Sequence, residues 1–544
     1  LVLRPEPGDS PHLHVDLFVQ SAPQGSAPGA PAKNLASNTL RLVTGAVEDI
    51  GHLVVEDGQG TLAVVAANAP PGVTATLERV PQGTLHIAYD VRATANPNAN
   101  TSDLVIADDR FRGLGERIVL LPSGMENERA NVSVIVDTRA IVAPRFASSL
   151  GLGQRTREGY GRSLVRAAFM AGSLGGGVFD EGIDHDETVW LGYSAFDPRP
   201  AAAEVATVRT ALREMWHGGG DEDFTLLFVS SPRPLGAYAL VPRAGSLLVH
   251  LGPSEPWLAP LRVAVTQHLM RSWIGGELRI LPPSEGGNEA ESLWFAEGVA
   301  RYFAAHALRR LGLITVDDAR DFANGLLSAQ ATSPHRGKSN AAVATLAFGD
   351  PLARAHLMAH GALYATRLAG LLRLKKGAQS LDDVVAKLVE RARTARAPLP
   401  SSAWVEAVVG ALGPAEKAQF ERLIVAGEDV TLSPDALGSC LRGGAGVYTA
   451  FDLGFDLDET LEAVPRTIVR LRAGGPAARA GLSATDVLDD ATFRYGHAEA
   501  PVTLSVLRDG HKADVKYLPR GVSAKGLVYT RKTGVPDLVC GDVL

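Results

Sequence analysis

Two hydrophobic rhythms divide this chain, and that division constrains the fold more than any single motif. Residues 1–145 run as short alternating stretches, such as Thr61-Leu62-Ala63-Val64-Val65 and Leu85-His86-Ile87-Ala88-Tyr89-Asp90-Val91, broken by turn-rich clusters. A period of two marks half-buried strands. Residues 254–430 instead repeat apolar positions with the helical period, in helices expected near 317–330, 352–374, 381–396, 401–412 and 415–425. Between them the rhythms mix, with strands expected at 188–193, 224–229 and 246–250 and a helix over 201–216. One layer cannot satisfy both patterns. The chain therefore reads as an α+β multidomain protein: a β-sandwich-like domain over 1–145, an α/β part over 146–253 and a helical lobe over 254–430.

Residues 21–31, rich in Pro, Gly, Ser and Ala, and residues 95–101, rich in Asn, read as solvated loops. The segment 172–182 opens with Gly172-Ser173-Leu174-Gly175-Gly176-Gly177, in the manner of a phosphate loop. It lacks the Lys-Ser/Thr that such a loop needs, so it reads as a turn.

At 544 residues the chain has length for roughly three or four domains. Its 46% hydrophobic and 21% charged residues place it among globular proteins. A net charge of -7 gives no basic footprint for nucleic acid. No apolar run approaches the roughly 18 residues of a membrane span. The chain begins at Leu1 without a leader pattern, as a processed or trimmed chain would. Its two cysteines, Cys440 and Cys540, bracket a C-terminal segment. Joined, they would close a loop worth about 4.7 kcal/mol on the chain-entropy model and point to an oxidising compartment; free buried thiols are the alternative.

Chemistry-bearing residues concentrate on two helices of the lobe. The first, expected between Ser254-Glu255-Pro256 and Gly275-Gly276, carries Gln267-His268-Leu269-Met270-Arg271. The second, ending near Gly312, carries Ser292-Leu293-Trp294-Phe295-Ala296-Glu297-Gly298-Val299-Ala300-Arg301-Tyr302-Phe303. Positions 267 and 271 lie one turn apart on one helical face. A carboxylate such as Glu297 on so apolar a helix needs a partner. Arg301, four residues on, is one candidate.

Other clusters are weaker. His356-Leu357-Met358-Ala359-His360 has histidines four apart but no acidic residue between them and no evident third ligand, so structural use is expected. Asp180-Glu181-Gly182-Ile183-Asp184-His185-Asp186-Glu187 does not follow a calcium-loop pattern and reads as a solvated loop. No G-x-S-x-G elbow supports a serine hydrolase.

The Trp294-Phe295-Ala296-Glu297-Gly298 helix resembles the one that gives gluzincin peptidases their third zinc ligand. Gly361-Ala362-Leu363 and Ser380-Leu381-Asp382-Asp383-Val384 also resemble segments of the glycyl-aminopeptidase family of these thermolysin-like enzymes. Residues 441–520 resemble a PDZ domain, through Asp452-Leu453-Gly454-Phe455, Thr467-Ile468-Val469-Arg470-Leu471 and the run from Gly475 to Leu488, although Thr485 stands where a glycine is usual. Residues 521–544 read as a C-terminal tail.

The resemblance implies a one-zinc enzyme that trims peptide N-termini, and this chain departs from its pattern at several points. Gln267 and Arg271 occupy the places of the two zinc histidines, and His268 that of the general-base glutamate. The substrate-recognition segment falls near Leu235-Gly236-Ala237-Tyr238-Ala239-Leu240, where its motif is missing, and Leu357 or Met358 replaces an expected tyrosine. Amide nitrogen and guanidinium are poor or impossible zinc donors. In the cleft that the resemblance implies, Arg271 is the other candidate partner for Glu297, able to satisfy it bidentately. The expectation is a non-peptidase binding or scaffolding protein without cofactor. Its partner would be a peptide or protein, held in the old cleft or by a PDZ loop at Leu453, Gly454 and Phe455. The alternative is metal-free acid–base chemistry at His268, Glu297 and Arg271. The remaining possibility is an active zinc enzyme with His250 or His306 reaching Glu297. A periplasmic or secreted location is expected; oligomeric state is not legible.

Overall fold

The computed structural model describes the chain except residues 21–36, 94–103, 143–144, 179–185, 193–195, 221–222, 244, 285, 376, 378 and 542. The loops expected at 21–31 and 95–101, and most of the acidic run 180–187, lie outside the described residues. The chain forms two compact units rather than one unit per expected domain. The first comprises Leu1–Arg199, Asp223–Arg233 and Ala237–Glu255; the second comprises Pro200–Glu222, Pro234–Gly236 and Pro256–Leu544.

In the first unit, a seven-stranded sheet runs in the order Arg155–Tyr160, Arg129–Val136, Val2–Glu6, His12–Val19, Leu85–Arg92, Ile50–Asp57, Gly60–Leu62. The period of two works as read: Leu85, Ile87, Tyr89 and Val91 point inward along one strand. Their core is shared with a four-stranded sheet through Leu40, Leu42, Val73, Ala75 and Leu77. A further sheet contains parallel strands Glu187–Leu191, Thr225–Ser230 and Ser246–Leu251. The last of these is buried along its whole length, as expected for a parallel strand covered on both faces. The glycine-rich segment corrects the turn expected there: Leu174–Val178 is an edge strand paired with Glu187–Leu191. Glu187 is likewise not solvated; it is buried and accepts from Arg155 at 2.8 Å.

The second unit holds the helical lobe: Ala259–Met270, Ala300–Arg310, Val316–Ala331, Pro351–Leu374, Leu381–Ala395 and Ser401–Leu412. Local chemistry sets these bounds. Thr315 and Asp318 form a reciprocal capping box, and so do Ser380 and Asp383, with the Asp383 carboxylate accepting from the Ser380 N–H at 2.8 Å. Pro260 sits in the first turn of the Gln267 helix, where its missing N–H costs nothing.

The C-terminal segment belongs to this same unit. Leu441–Phe451 pairs antiparallel with Arg520–Arg531, while Val487–Thr492, Val502–Arg508 and His511–Tyr517 form a three-stranded sheet. The segment read as a C-terminal tail, 521–544, carries most of the closing strand. The closing strand runs to Arg531, and the Asn324 side chain exchanges two 2.9 Å hydrogen bonds with the backbone of Tyr529. Cys440 and Cys540 are joined by a disulfide, with Cα atoms 5.6 Å apart.

Candidate functional site

Glu297 lies in a π-helical turn, Trp294–Val299, that opens the helix Ala300–Arg310. Such turns widen a helix locally and recur at functional positions. An aromatic cluster pins this one: the Trp294 ring lies 5.8 Å from Trp404 and 5.6 Å from Phe420, and Phe295 lies 5.2 Å from Trp404.

Two glycines then bring the helix Pro351–Leu374 against the turn. A Cβ on Gly298 would sit 2.7 Å from the Gly361 Cα, and one on Gly361 would drive into the Trp294 carbonyl. Only glycine permits this approach. Arg354 precedes Gly361 by seven residues, two helical turns, so it projects from the same face toward Glu297.

The consequence is a bidentate ion pair. Arg354 Nε donates to Glu297 Oε2 at 2.9 Å, and its Nη2 donates to Oε1. The Glu297 side chain is only 6% exposed, whereas Arg354 is about half exposed at 47%. The neighbouring carboxylate raises the Arg354 pKa above its ordinary value. The expected Arg271–Glu297 bidentate pair is corrected accordingly. Arg271 Nη1 lies 3.9 Å from Oε1, an ion pair without a hydrogen bond, while Arg354 bonds both carboxylate oxygens. The competing Arg301–Glu297 pair is corrected too. Arg301 Nη1 donates at 2.8 Å to Gln267 Oε1.

Gln267 is held at both ends, since its Nε2 donates to the Glu297 carbonyl at 3.2 Å and faces Met358 Sδ at 3.5 Å. Burial, then the charges of Arg271 and Arg354, push the His268 pKa down to about 3. His268 is therefore a neutral imidazole at pH 7. Gln267 and Arg271 thus meet Glu297, and His268 lies in the field of Arg271 and Arg354. Arg354 was missed, although its seven-residue offset from the noted Gly361 carried the signal.

These residues do not fit a zinc ion. Gln267 offers an amide, Arg271 a cation, both Glu297 oxygens are bound by a guanidinium, and His268 is a single imidazole in the field of two arginines. The two histidines considered as rescuers have other surroundings. His306 makes contacts of 3.2 Å with the Asp382 carboxylate and 2.9 Å with the Leu544 carbonyl. His250 belongs to the first unit, enclosed beside Arg112, with its pKa pushed down to about 3 chiefly by burial. His356 and His360 pack 5.6 Å apart as buried rings, and His360 Nε2 donates to the Leu423 carbonyl at 2.7 Å. Among the described residues, no group of three or more His, Cys, Asp or Glu is placed to hold a metal.

In the C-terminal segment, Leu453 and Gly454 are buried and Phe455 is partly covered. The Gly454 N–H already donates to the Asp452 carboxylate at 2.9 Å, and Arg472 binds that same carboxylate.

No protein-family model and no curated protein matches this sequence. Solved structures do resemble it. The chain is similar to an aminopeptidase N family protein from Idiomarina loihiensis over 100% of its own length and 99% of the other, with 15% identity and a TM-score of 0.67. It also aligns with an M1 zinc metallopeptidase from Deinococcus radiodurans, at 17% identity and a TM-score of 0.46, covering 79% of this chain and 94% of that one. Native yeast LTA4 hydrolase aligns at 10% identity and a TM-score of 0.46, over 79% and 68% of the two chains. At these identities the first likeness defines the fold and nothing beyond it. No helix among the described residues is long and apolar enough to cross a membrane.

Proposed function

We propose that this chain is a binding or scaffolding protein built on an aminopeptidase N-like fold, in which an ion pair stands where a related enzyme would hold zinc. The observation that carries this reading is the Arg354–Glu297 pair. The buried carboxylate, which is the residue best suited to ligate a metal, has both oxygens taken by one guanidinium. A finer placement with glycyl-aminopeptidases is part of the proposal and rests on the sequence motifs around Glu297, Gly361 and Ser380.

Acid–base chemistry at His268 is disfavoured by its surroundings. Efficient proton transfer near neutrality calls for a pKa near the working pH, and burial, helped by two arginines, holds this one at about 3. A PDZ-like role for the loop at Leu453, Gly454 and Phe455 remains part of the proposal. There Asp452 occupies the Gly454 N–H that an incoming carboxylate would seek, so such a ligand would have to displace it. The Cys440–Cys540 disulfide favours an oxidising compartment, periplasmic or secreted.

The test is incubation of the purified chain with a mixture of short peptides in excess zinc, followed by mass spectrometry. The proposal expects intact peptides, some of them retained on the protein. Zinc-dependent release of N-terminal residues, abolished in Glu297→Gln, would overturn it.

A further inference from the structure

The site carries a charge surplus that its own side chains do not resolve. Glu297 contributes one negative charge, and among the described residues it is the one carboxylate acting on Arg354. Two guanidiniums face it, Arg354 from one helix and Arg271 from the end of another. His268, beside both, adds no negative charge, and Gln267 is a neutral amide whose oxygen is taken by Arg301. After the bidentate pair forms, one positive charge is left on Arg271.

The geometry of that residue sharpens the point. Among the described residues its closest carboxylate oxygen lies 3.9 Å away, beyond hydrogen-bond range. Its side chain is 37% exposed, so solvent and solutes reach it. The residue caps the C-terminal end of the helix Ala259–Met270, where its backbone continues the last turn. A guanidinium presents five donors in a planar fork that matches a carboxylate. Beside a second arginine and a largely buried imidazole, such a fork sits in lower dielectric than bulk water, where an anion gains more.

We propose that Arg271 captures a carboxylate group of the protein's ligand, a peptide C-terminus or an acidic side chain, as a bidentate pair beside the Arg354–Glu297 bridge. A monoanion matches the single surplus charge of this trio; a dianionic phosphate would exceed it. The inference rests on the binding reading above and names the ligand chemistry of that site. No bond is made or broken. The incoming oxygens replace water on Arg271, while Arg354 stays on Glu297.

The full chain, with 15N-labelled arginine side chains, is titrated with four probes while the Nε–H resonances are followed. The probes are acetate, inorganic phosphate, an acetylated tri-alanine with a free C-terminus, and an amidated peptide with one glutamate. The amidated tri-alanine is the neutral control. The Arg271 resonance is identified by its loss in Arg271→Gln. The expected result is a saturable shift of that resonance with acetate and with at least one carboxylate peptide, and none with the neutral control. Binding should weaken roughly tenfold or more in Arg271→Gln, the loss of one charge-assisted pair. Arg336→Gln, at a remote ion pair with Asp429, should leave it unchanged. Which peptide binds distinguishes a terminal from a side-chain carboxylate. The proposal is overturned if no probe shifts Arg271, if the neutral control shifts it equally, if Arg271→Gln binds as well as the parent chain, or if phosphate binds more tightly than acetate. Peptide cleavage in the zinc assay would instead overturn the binding reading itself, whichever way Arg271 responds.

Discussion

Two helix faces in the C-terminal unit carry side chains spaced four apart, and they have opposite fates. One presents Gln267 and Arg271; the other presents His356 and His360. By residue type the histidine face is the better metal binder, yet it is packed as structure. Its rings are buried, and one is tied to the Leu423 carbonyl. The Gln267 face holds poor metal ligands, yet it meets the one carboxylate, Glu297, around which charge is organised. Spacing creates a common face. What the opposite helix brings to that face decides the chemistry.

The largest expected effect breaks the helix approach that distinguishes the Gln267 face. Gly361→Ala would force a methyl group into the Trp294 carbonyl, at a cost of about 3 kcal/mol, the upper end for overpacking against unyielding atoms. Denaturant unfolding checks this, and the Arg354–Glu297 pair should loosen with it. Next is Arg354→Ala, expected to cost about 2 kcal/mol by stranding a buried carboxylate. The figure stays below that for a fully buried pair because Arg354 is half exposed and Arg271 stands near. Loss of less than about half that amount would mean that Arg271 takes over the carboxylate on its own. On the histidine face, His356→Leu should be neutral or stabilising, since the buried Nδ1 has no partner to lose.

Acid sharpens the contrast less strongly. His268, held at about 3, and His356, held at about 4, both have folded pKa values below the ordinary 6.5. Below 6.5 the unfolded chain binds protons that the folded chain refuses, so stability is full above that pH and falls as pH drops toward the folded values. Each should cost about 1 kcal/mol between pH 7 and 5, after discounting for partial exposure. His268→Gln should flatten the stability–pH curve in that window, and an unchanged slope would contradict the environment described. The smallest effect is expected for Gln267→Ala. It loses hydrogen bonds to the Glu297 carbonyl and Arg301 at under about 1 kcal/mol, measured as a shift in the unfolding midpoint.

Much of this organisation was legible in the sequence. The helices near 352–374, 381–396 and 401–412 matched the observed bounds within a residue or so, because Ser380, Asp350 with Pro351, and Gly413 punctuate them. Helical spacing put residues 267 and 271 on one face, and only the peptidase resemblance implied that Glu297 faces them. Their partners were not legible, because pairing across helices depends on contacts far apart in sequence. Arg354 is 57 residues from Glu297 and meets it only because Gly298 and Gly361 let two backbones touch. Arg301 had the right local spacing for Glu297, yet the wider π turn accompanies a different pairing, with Gln267. The closing strand Arg520–Arg531 escaped notice because its glycines and charges weaken the alternating pattern, while Tyr529 and Asn324 fix it from afar.

The central claim is that a guanidinium, not a metal, satisfies Glu297. The most direct measurement is the metal content of protein purified without chelators or metal-affinity resin, then offered excess zinc and washed. The account predicts less than about a tenth of an equivalent of retained zinc, given one carboxylate committed to Arg354 and a single histidine, His268, beside two cations. Close to one tightly held equivalent, lost in Glu297→Gln, would contradict it.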